Sequence, residues 1–121
     1  MHTVMKGAKK VLYVDDNGSI QLTRGDTARL SIVVNNELTG SSYDIQETDT
    51  LTLTIKKNVN ESTPLVQKVI RGSNQFYIEP TDTSHLQFGK YIYDVELRTD
   101  SGDVYTIIVP SLFEILKEVT Y

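Results

Sequence analysis

Two short acidic stretches are where side chains of this chain crowd closely enough to suggest chemistry. Asp15-Asp16-Asn17-Gly18 and Asp100-Ser101-Gly102-Asp103 each gather oxygen donors, as a calcium loop does. Neither has the six-ligand spacing that calcium coordination uses, and Asp, Asn, Ser and Gly at this density are the residues of tight turns. Turn formation is therefore the stronger reading, and no metal or cofactor is expected. If a calcium-stabilised or enzymatic domain were present, Asp15, Asp16, Asp100 and Asp103 are the carboxylates that would have to converge. The two histidines, His2 and His85, lie in a terminal segment and in the connection from Pro80 to Phe88. General base or metal chemistry would need partners that the sequence assembles around neither. With no nucleophile elbow, no phosphate-cradling glycine loop and no paired metal-binding histidines, the chain is not expected to be an enzyme.

Other short motifs have simpler explanations. Arg24-Gly25-Asp26 is the tripeptide that integrins read on a mobile loop tip, but a strong strand pattern follows it at once, so Gly25 and Asp26 are expected to make a turn. Asn17-Gly18-Ser19 and Asn60-Glu61-Ser62 fit the glycosylation acceptor pattern, which matters only in an exported protein. The seven tyrosines suggest a carbohydrate platform, yet tryptophan is absent, and Tyr91 and Tyr93 are better placed as corner or core residues. A sugar-binding surface would centre on Tyr43 or Tyr77, or on Tyr105 if the last hairpin takes its alternative register.

The bulk properties narrow the classes. A length of 121 residues fits one domain. The absence of cysteine removes disulfides, thiolate catalysis and cysteine-based zinc sites together, and suits a reducing cytosol. The net charge of -4 comes from 12 basic and 16 acidic residues with no long run of either sign, so nucleic-acid and anionic-lipid binding are disfavoured. Apolar stretches are only a few residues long and Met1 to Val4 lacks a signal-peptide segment, so neither a membrane span nor a leader is expected.

The elements that would position these residues are strands. Phe88 to Val109 reads as a complete β-hairpin: Tyr91, Tyr93, Val95 and Leu97 alternate with Ile92, Asp94, Glu96 and Arg98, and Val104 to Val109 returns. A two-residue loop would pair Leu97 with Thr106, a three-residue loop Leu97 with Tyr105. The latter is preferred, because Gly102 then takes the left-handed position and Tyr105, Ile107 and Val109 join Tyr93, Val95 and Leu97 on the core face.

Upstream, Ile20 and Leu22 alternate with polar neighbours. Ala28, Leu30, Ile32 and Val34 share a face, as do Leu51, Leu53 and Ile55, and a short strand fits Tyr43 to Ile45. Leu65 to Arg71 and Gln75 to Glu79 follow, separated by Gly72-Ser73-Asn74 and stopped by Pro80. Phe113, Ile115 and Val119 lie in phase with Val109, which extends the last strand past a bulge or an edge position at Pro110; a short helix over Ser111 to Val119 is the alternative. Residues 1–18 form an amino-terminal arm, with a short strand over Val11 to Val14, that would order against a partner. Residues 19–121 then form an all-β antiparallel sandwich of seven to nine strands with turns about every ten residues.

Pro80-Thr81-Asp82-Thr83-Ser84-His85-Leu86-Gln87-Phe88-Gly89-Lys90-Tyr91 resembles the corner that precedes strand F in immunoglobulin-like domains. There a tyrosine hydroxyl bonds back to the backbone upstream; Tyr91 matches that position, with Gly89 and Asp82 as its companions. Tyr93 falls where antibody domains carry their second cysteine, so the resemblance implies an immunoglobulin-like β-sandwich without the antibody core. The order Ile20-x-Leu22-x-x-Gly25-Asp26-Thr27, Leu51-x-Leu53-x-Ile55-Lys56-Lys57, Gly89-x-Tyr91-x-Tyr93-Asp94-Val95-x-Leu97, Gly102-x-Val104 and Phe113-x-Ile115 is similar to small immunoglobulin-like domains of phages and prophages of Gram-positive bacteria. The amino-terminal domain of baseplate upper proteins and related tail accessory proteins share this look.

That resemblance implies a non-catalytic structural or assembly module. It would be made in the host cytoplasm and then carried in the virion, with other virion or tail proteins as partners, or as a homo-oligomer. A carbohydrate- or receptor-binding adhesion module is the alternative.

Overall fold

The computed structural model describes residues 8–9, 13–14, 18–35 and 41–117. In chain order the elements are β1 (Ala8–Lys9), β2 (Tyr13–Val14), β3 (Ile20–Thr23), β4 (Ala28–Ser31), β5 (Val34–Asn35), β6 (Ser42–Tyr43) and β7 (Thr50–Lys56). They continue with β8 (Val66–Arg71), β9 (Gln75–Ile78), the single helical turn α1 (Pro80–Thr83), β10 (Gly89–Arg98) and β11 (Val104–Leu116). Two sheets are stacked: three strands in the order β1-β4-β9, and six in the order β2-β3-β11-β10-β7-β8. β5 and β6 make a separate ribbon. This is an all-β sandwich in which β7, β10 and β11 face β4 and β9.

Alternation builds the core. Ala28 and Leu30 with Phe76 and Ile78 point inward from the small sheet; Ile20, Leu22, Leu51, Leu53, Ile55, Val95, Leu97 and Ile115 point inward from the large one. The threonines of β7 take its outer face. Tyr93 and Phe113 meet edge to face at the centre, with ring centroids 5.9 Å apart at 74°. A buried ring needs somewhere to place its hydroxyl, and Tyr93 donates to the carbonyl of Gly18.

The β10–β11 hairpin has the three-residue loop. Leu97 faces Tyr105 and Arg98 faces Val104. The Thr99 amide donates to Asp103 at 2.9 Å and the Gly102 amide to Thr99 at 3.0 Å. Gly102 has φ of 91°, which a side chain would resist. Farther along, the strands depart from simple alternation. Glu96 pairs with Thr106 but Val95 with Ile108, and Tyr93 with Ser111, so β11 carries extra residues at two places. The first makes Ile107 and Ile108 both buried and thereby turns Val109 out, 67% exposed, and the second brings Ser111 opposite Tyr93. Val109 is therefore not a core residue, and Tyr105 is only half-buried. Two inserted residues restore the original phase, which is why Phe113 and Ile115 point inward again. β11 runs on as a strand to Leu116, so no helix forms over 111–116; Val119 lies outside the described residues.

Four further expectations are corrected. The sandwich is not wholly antiparallel, because β3 runs parallel to β11, with Phe113 opposite Ile20 and Ile115 opposite Leu22. The segment before Ser19 is not a detached arm where it is described: Ala8–Lys9 pairs with β4 and Tyr13–Val14 with β3, so it contributes edge pairing to both sheets. An unpaired row of peptide groups on β4 or β3 favours such pairing without any special side chain. The face shared by Ala28, Leu30, Ile32 and Val34 is buried throughout, but the strand breaks at Ile32–Val33 and β5 pairs with β6 rather than with the sheets. Pro80 does not merely stop β9; it opens α1, where its missing N–H is harmless.

Candidate functional site

The corner around α1 ties both sheets together with polar contacts. Asp82 Oδ2 accepts the Glu79 amide at 2.8 Å and the Lys68 ammonium at 3.0 Å, holding β8 against α1. Thr83, fully buried, accepts the Gly25 amide at 2.9 Å. Arg24 stacks its guanidinium 4.2 Å over the Phe88 ring and donates to the Leu86 carbonyl at 3.3 Å. The Asp26 amide donates to Thr23 at 3.0 Å, closing the Arg24-Gly25-Asp26 turn, whose arginine and glycine are thereby held against the corner. Only the Asp26 side chain of this tripeptide is exposed. Integrin-type display, which needs a mobile tip, does not fit this packing.

Tyr91 sits on β10, buried beneath the Lys57 ammonium 4.8 Å from its ring, and donates to the Gln87 carbonyl at 2.7 Å. Gly89, two residues earlier, begins β10 opposite Ile115. Because the Tyr91 hydroxyl makes one hydrogen bond in a largely dry setting, Tyr91→Phe is expected to lower stability by about 1 kcal/mol. A urea titration that leaves the midpoint unmoved would remove this bond from the account of the corner.

A concave feature lies at the other end of the sandwich. A groove of about 530 Å³ runs between the β5–β6 ribbon and the β8–β9 connection, lined by Ile32, Val34, Tyr43, Asp44, Ser73 and Asn74 among others. The lining residue Tyr43 is held by Asp49, a buried carboxylate that the sequence reading did not single out. Asp49 Oδ2 accepts the Tyr43 hydroxyl at 2.5 Å and the Gln46 amide at 2.8 Å. Its carbonyl accepts the Gly72 amide at 3.0 Å. Gly72, at φ of 68°, passes so close to this turn that an added Cβ would lie 3.3 Å from Glu47 Cα and from its carbonyl oxygen. The signal for Asp49 was its distance from Gln46, since an Asp bonding the amide three residues back is a local turn device.

The hydrogen bond to Asp49, then burial, then the charge of Asp49 push the Tyr43 hydroxyl up from its ordinary value near 10 to about 12. Tyr43 therefore holds its proton more firmly folded than unfolded. The stability this gives is complete below pH 10 and is lost as the pH rises toward 12. An ultraviolet titration of phenolate should show a late-ionising tyrosine that disappears in Tyr43→Phe. If every tyrosine of the folded protein ionises near 10, the short bond to Asp49 is not present in solution.

The remaining candidates do not converge. Tyr77 lies on β9 beneath Arg29 at 5.2 Å, on the outer face of the small sheet, and so stands apart from Tyr43 and Tyr105, which both pack against the core and are near enough to interact electrostatically. Asp100 and Asp103 belong to the β10–β11 loop, where Ser101 donates to Asp103 at 3.2 Å. Asp15, Asp16 and His2 lie outside the described residues. His85 is exposed after α1, and Asn60 is exposed in the β7–β8 connection. On the outer face of the large sheet the Asp94 carboxyl is pushed up, by burial first and by Glu96 second, with Lys56 opposing. Among the described residues no three His, Asp or Glu side chains are grouped to hold a metal ion, and no helix is long and apolar enough to cross a membrane. The arrangement presents strand edges, a polar groove and an extended sheet face. Comparison with protein-family models and with curated protein sequences finds no match to this chain.

Proposed function

We propose that this chain is a non-catalytic structural module of a bacteriophage or prophage particle, a tail, baseplate or accessory component that acts through protein–protein contacts. The observation that carries this reading is the use of its buried polar groups. Asp49, Thr83 and the Tyr91 and Tyr93 hydroxyls are each engaged in holding backbone or a neighbouring side chain in place. Side chains committed in this way make a rigid scaffold, and a sandwich with open strand edges is a convenient unit for joining chains. The resemblance to phage immunoglobulin-like domains supplies the particle, with synthesis in the host cytoplasm and residence in the virion.

The test is the mass in solution by light scattering behind a sizing column, over a wide concentration range. A discrete oligomer is the expected result. A monomer at every concentration, together with binding on a glycan array, would replace this reading by the adhesion module. The groove at Tyr43, with the Asp44, Ser73 and Asn74 side chains around it, is the observation that favours that second reading.

A further inference from the structure

A sheet edge recruits another chain only where its outward peptide groups are free, and the four edges of this sandwich differ in that respect. β1 and β2 are two residues long, too short to template a partner. β9 is closed at both ends. The Ile32 amide donates to Asn74 at 2.7 Å, which makes that a hydrogen-bonded pair and, by alternation, turns the amides of Gln75, Tyr77 and Glu79 outward. Ser73 Oγ takes the Gln75 amide at 3.2 Å and Asp82 the Glu79 amide at 2.8 Å.

β8 is different. The Gly72 amide donates to Asp49 at 3.0 Å, in register with the β7–β8 ladder, so alternation turns the N–H and C=O of Gln67, Val69 and Arg71 away from β7. No side chain among the described residues caps them. Their side chains project from the outer face of the sheet, and Val69 is 60% exposed. Lys68 points the other way and is occupied by Asp82.

We infer that β8 pairs antiparallel with β8 of a second copy of this chain, about a two-fold axis at Val69, joining the two six-stranded sheets into one. This deepens the assembly reading above and rests on it. The side chains specify the partner and the register. About the Val69 axis, Val69 meets Val69 of the second copy, Gln67 meets Arg71, and Lys68 meets Ile70, so no like charges face each other and about six main-chain hydrogen bonds form. Centring on Arg71 would oppose two guanidiniums. Centring on Lys68 would oppose two ammoniums, and centring there or on Ile70 would bring only two of the three outward residues of each copy into bonding pairs, giving about four hydrogen bonds instead of six. Centring on Gln67 would run the ladder into Leu65, whose amide is spent on Ile55, and into Pro64.

Sedimentation of the full chain from about 1 µM to about 1 mM spans the range in which a dimer of that kind dissociates. The wild type is expected to double its mass within that range. Val69→Pro removes one outward donor from each copy while breaking no bond to β7, and is expected to stay at the monomer mass with an unchanged circular dichroism spectrum. Val69→Lys, which opposes two ammoniums on the axis, should weaken association at least tenfold and decides the matter if the proline variant unfolds. A wild type that remains monomeric at the highest concentration overturns the pairing. An oligomer that both variants leave intact also overturns it, but leaves the assembly module standing on another surface.

Discussion

Phe113→Ala is expected to cost the fold about 3–5 kcal/mol, the range for removing a buried aromatic ring. Phe113 is fully buried, stands edge to face with Tyr93, and lies on β11 between β3 and β10. Its removal opens a cavity bounded by strands that are themselves hydrogen-bonded on both sides, so the site can collapse only partly. Set against a typical domain stability of about 5–15 kcal/mol, that loss removes a large part of the total. Urea titration measures it directly. Phe113→Leu should cost under about 1.5 kcal/mol, because most of the volume is kept. Val109→Ala, on the same strand but outward, should stay within about 0.5 kcal/mol. If Val109→Ala proved as damaging as Phe113→Ala, the two extra residues of β11 would be wrongly placed.

Asp49→Ala is expected to cost about 2–4 kcal/mol, less than the sum of its parts because the two bonds share one oxygen. The carboxylate is buried, and its removal strands the Gln46 amide and the half-buried Tyr43 hydroxyl together. A hydrogen bond to a charged group is worth about 1.5–3 kcal/mol, so this network outweighs the part-exposed Lys68–Asp82 ion pair. Asp49→Asn keeps an acceptor in place and should lose less. The second readout is specific to the proposed contact: in Asp49→Ala the ionisation of Tyr43 should fall back from about 12 toward its ordinary range. A stability change below about 0.5 kcal/mol, or a Tyr43 titration that does not move, would mean that Asp49 does not hold this end of the sandwich.

The strands and their dry faces were legible in the sequence because a strand's side-chain period is a local property. Leu51, Leu53 and Ile55, or Tyr91, Tyr93, Val95 and Leu97, announce an inward face without reference to any neighbour. The hairpin register was legible for the same reason: Asp100-Ser101-Gly102 carries its own loop geometry, and only one pairing puts Tyr105 and Leu97 together.

The tertiary structure decided the rest. Val109 obeys the alternation in sequence and still faces solvent, because the two extra residues of β11 exist only relative to β10. Nothing within Ile20 to Thr23 says that it will run parallel to Phe113 to Leu116, since strand direction is set by where the chain re-enters the sheet. The groove belongs to this second class: Tyr43 and Asp49 are six residues apart, but Gly72 and Asn74 join them only when β8 crosses to β9 in the opposite sheet. So does the open edge of β8, for whether a peptide group points at a neighbour or at solvent depends on which strand lies last in the sheet. Periodicity is written residue by residue along the chain; adjacency is settled only when two sheets close over one core.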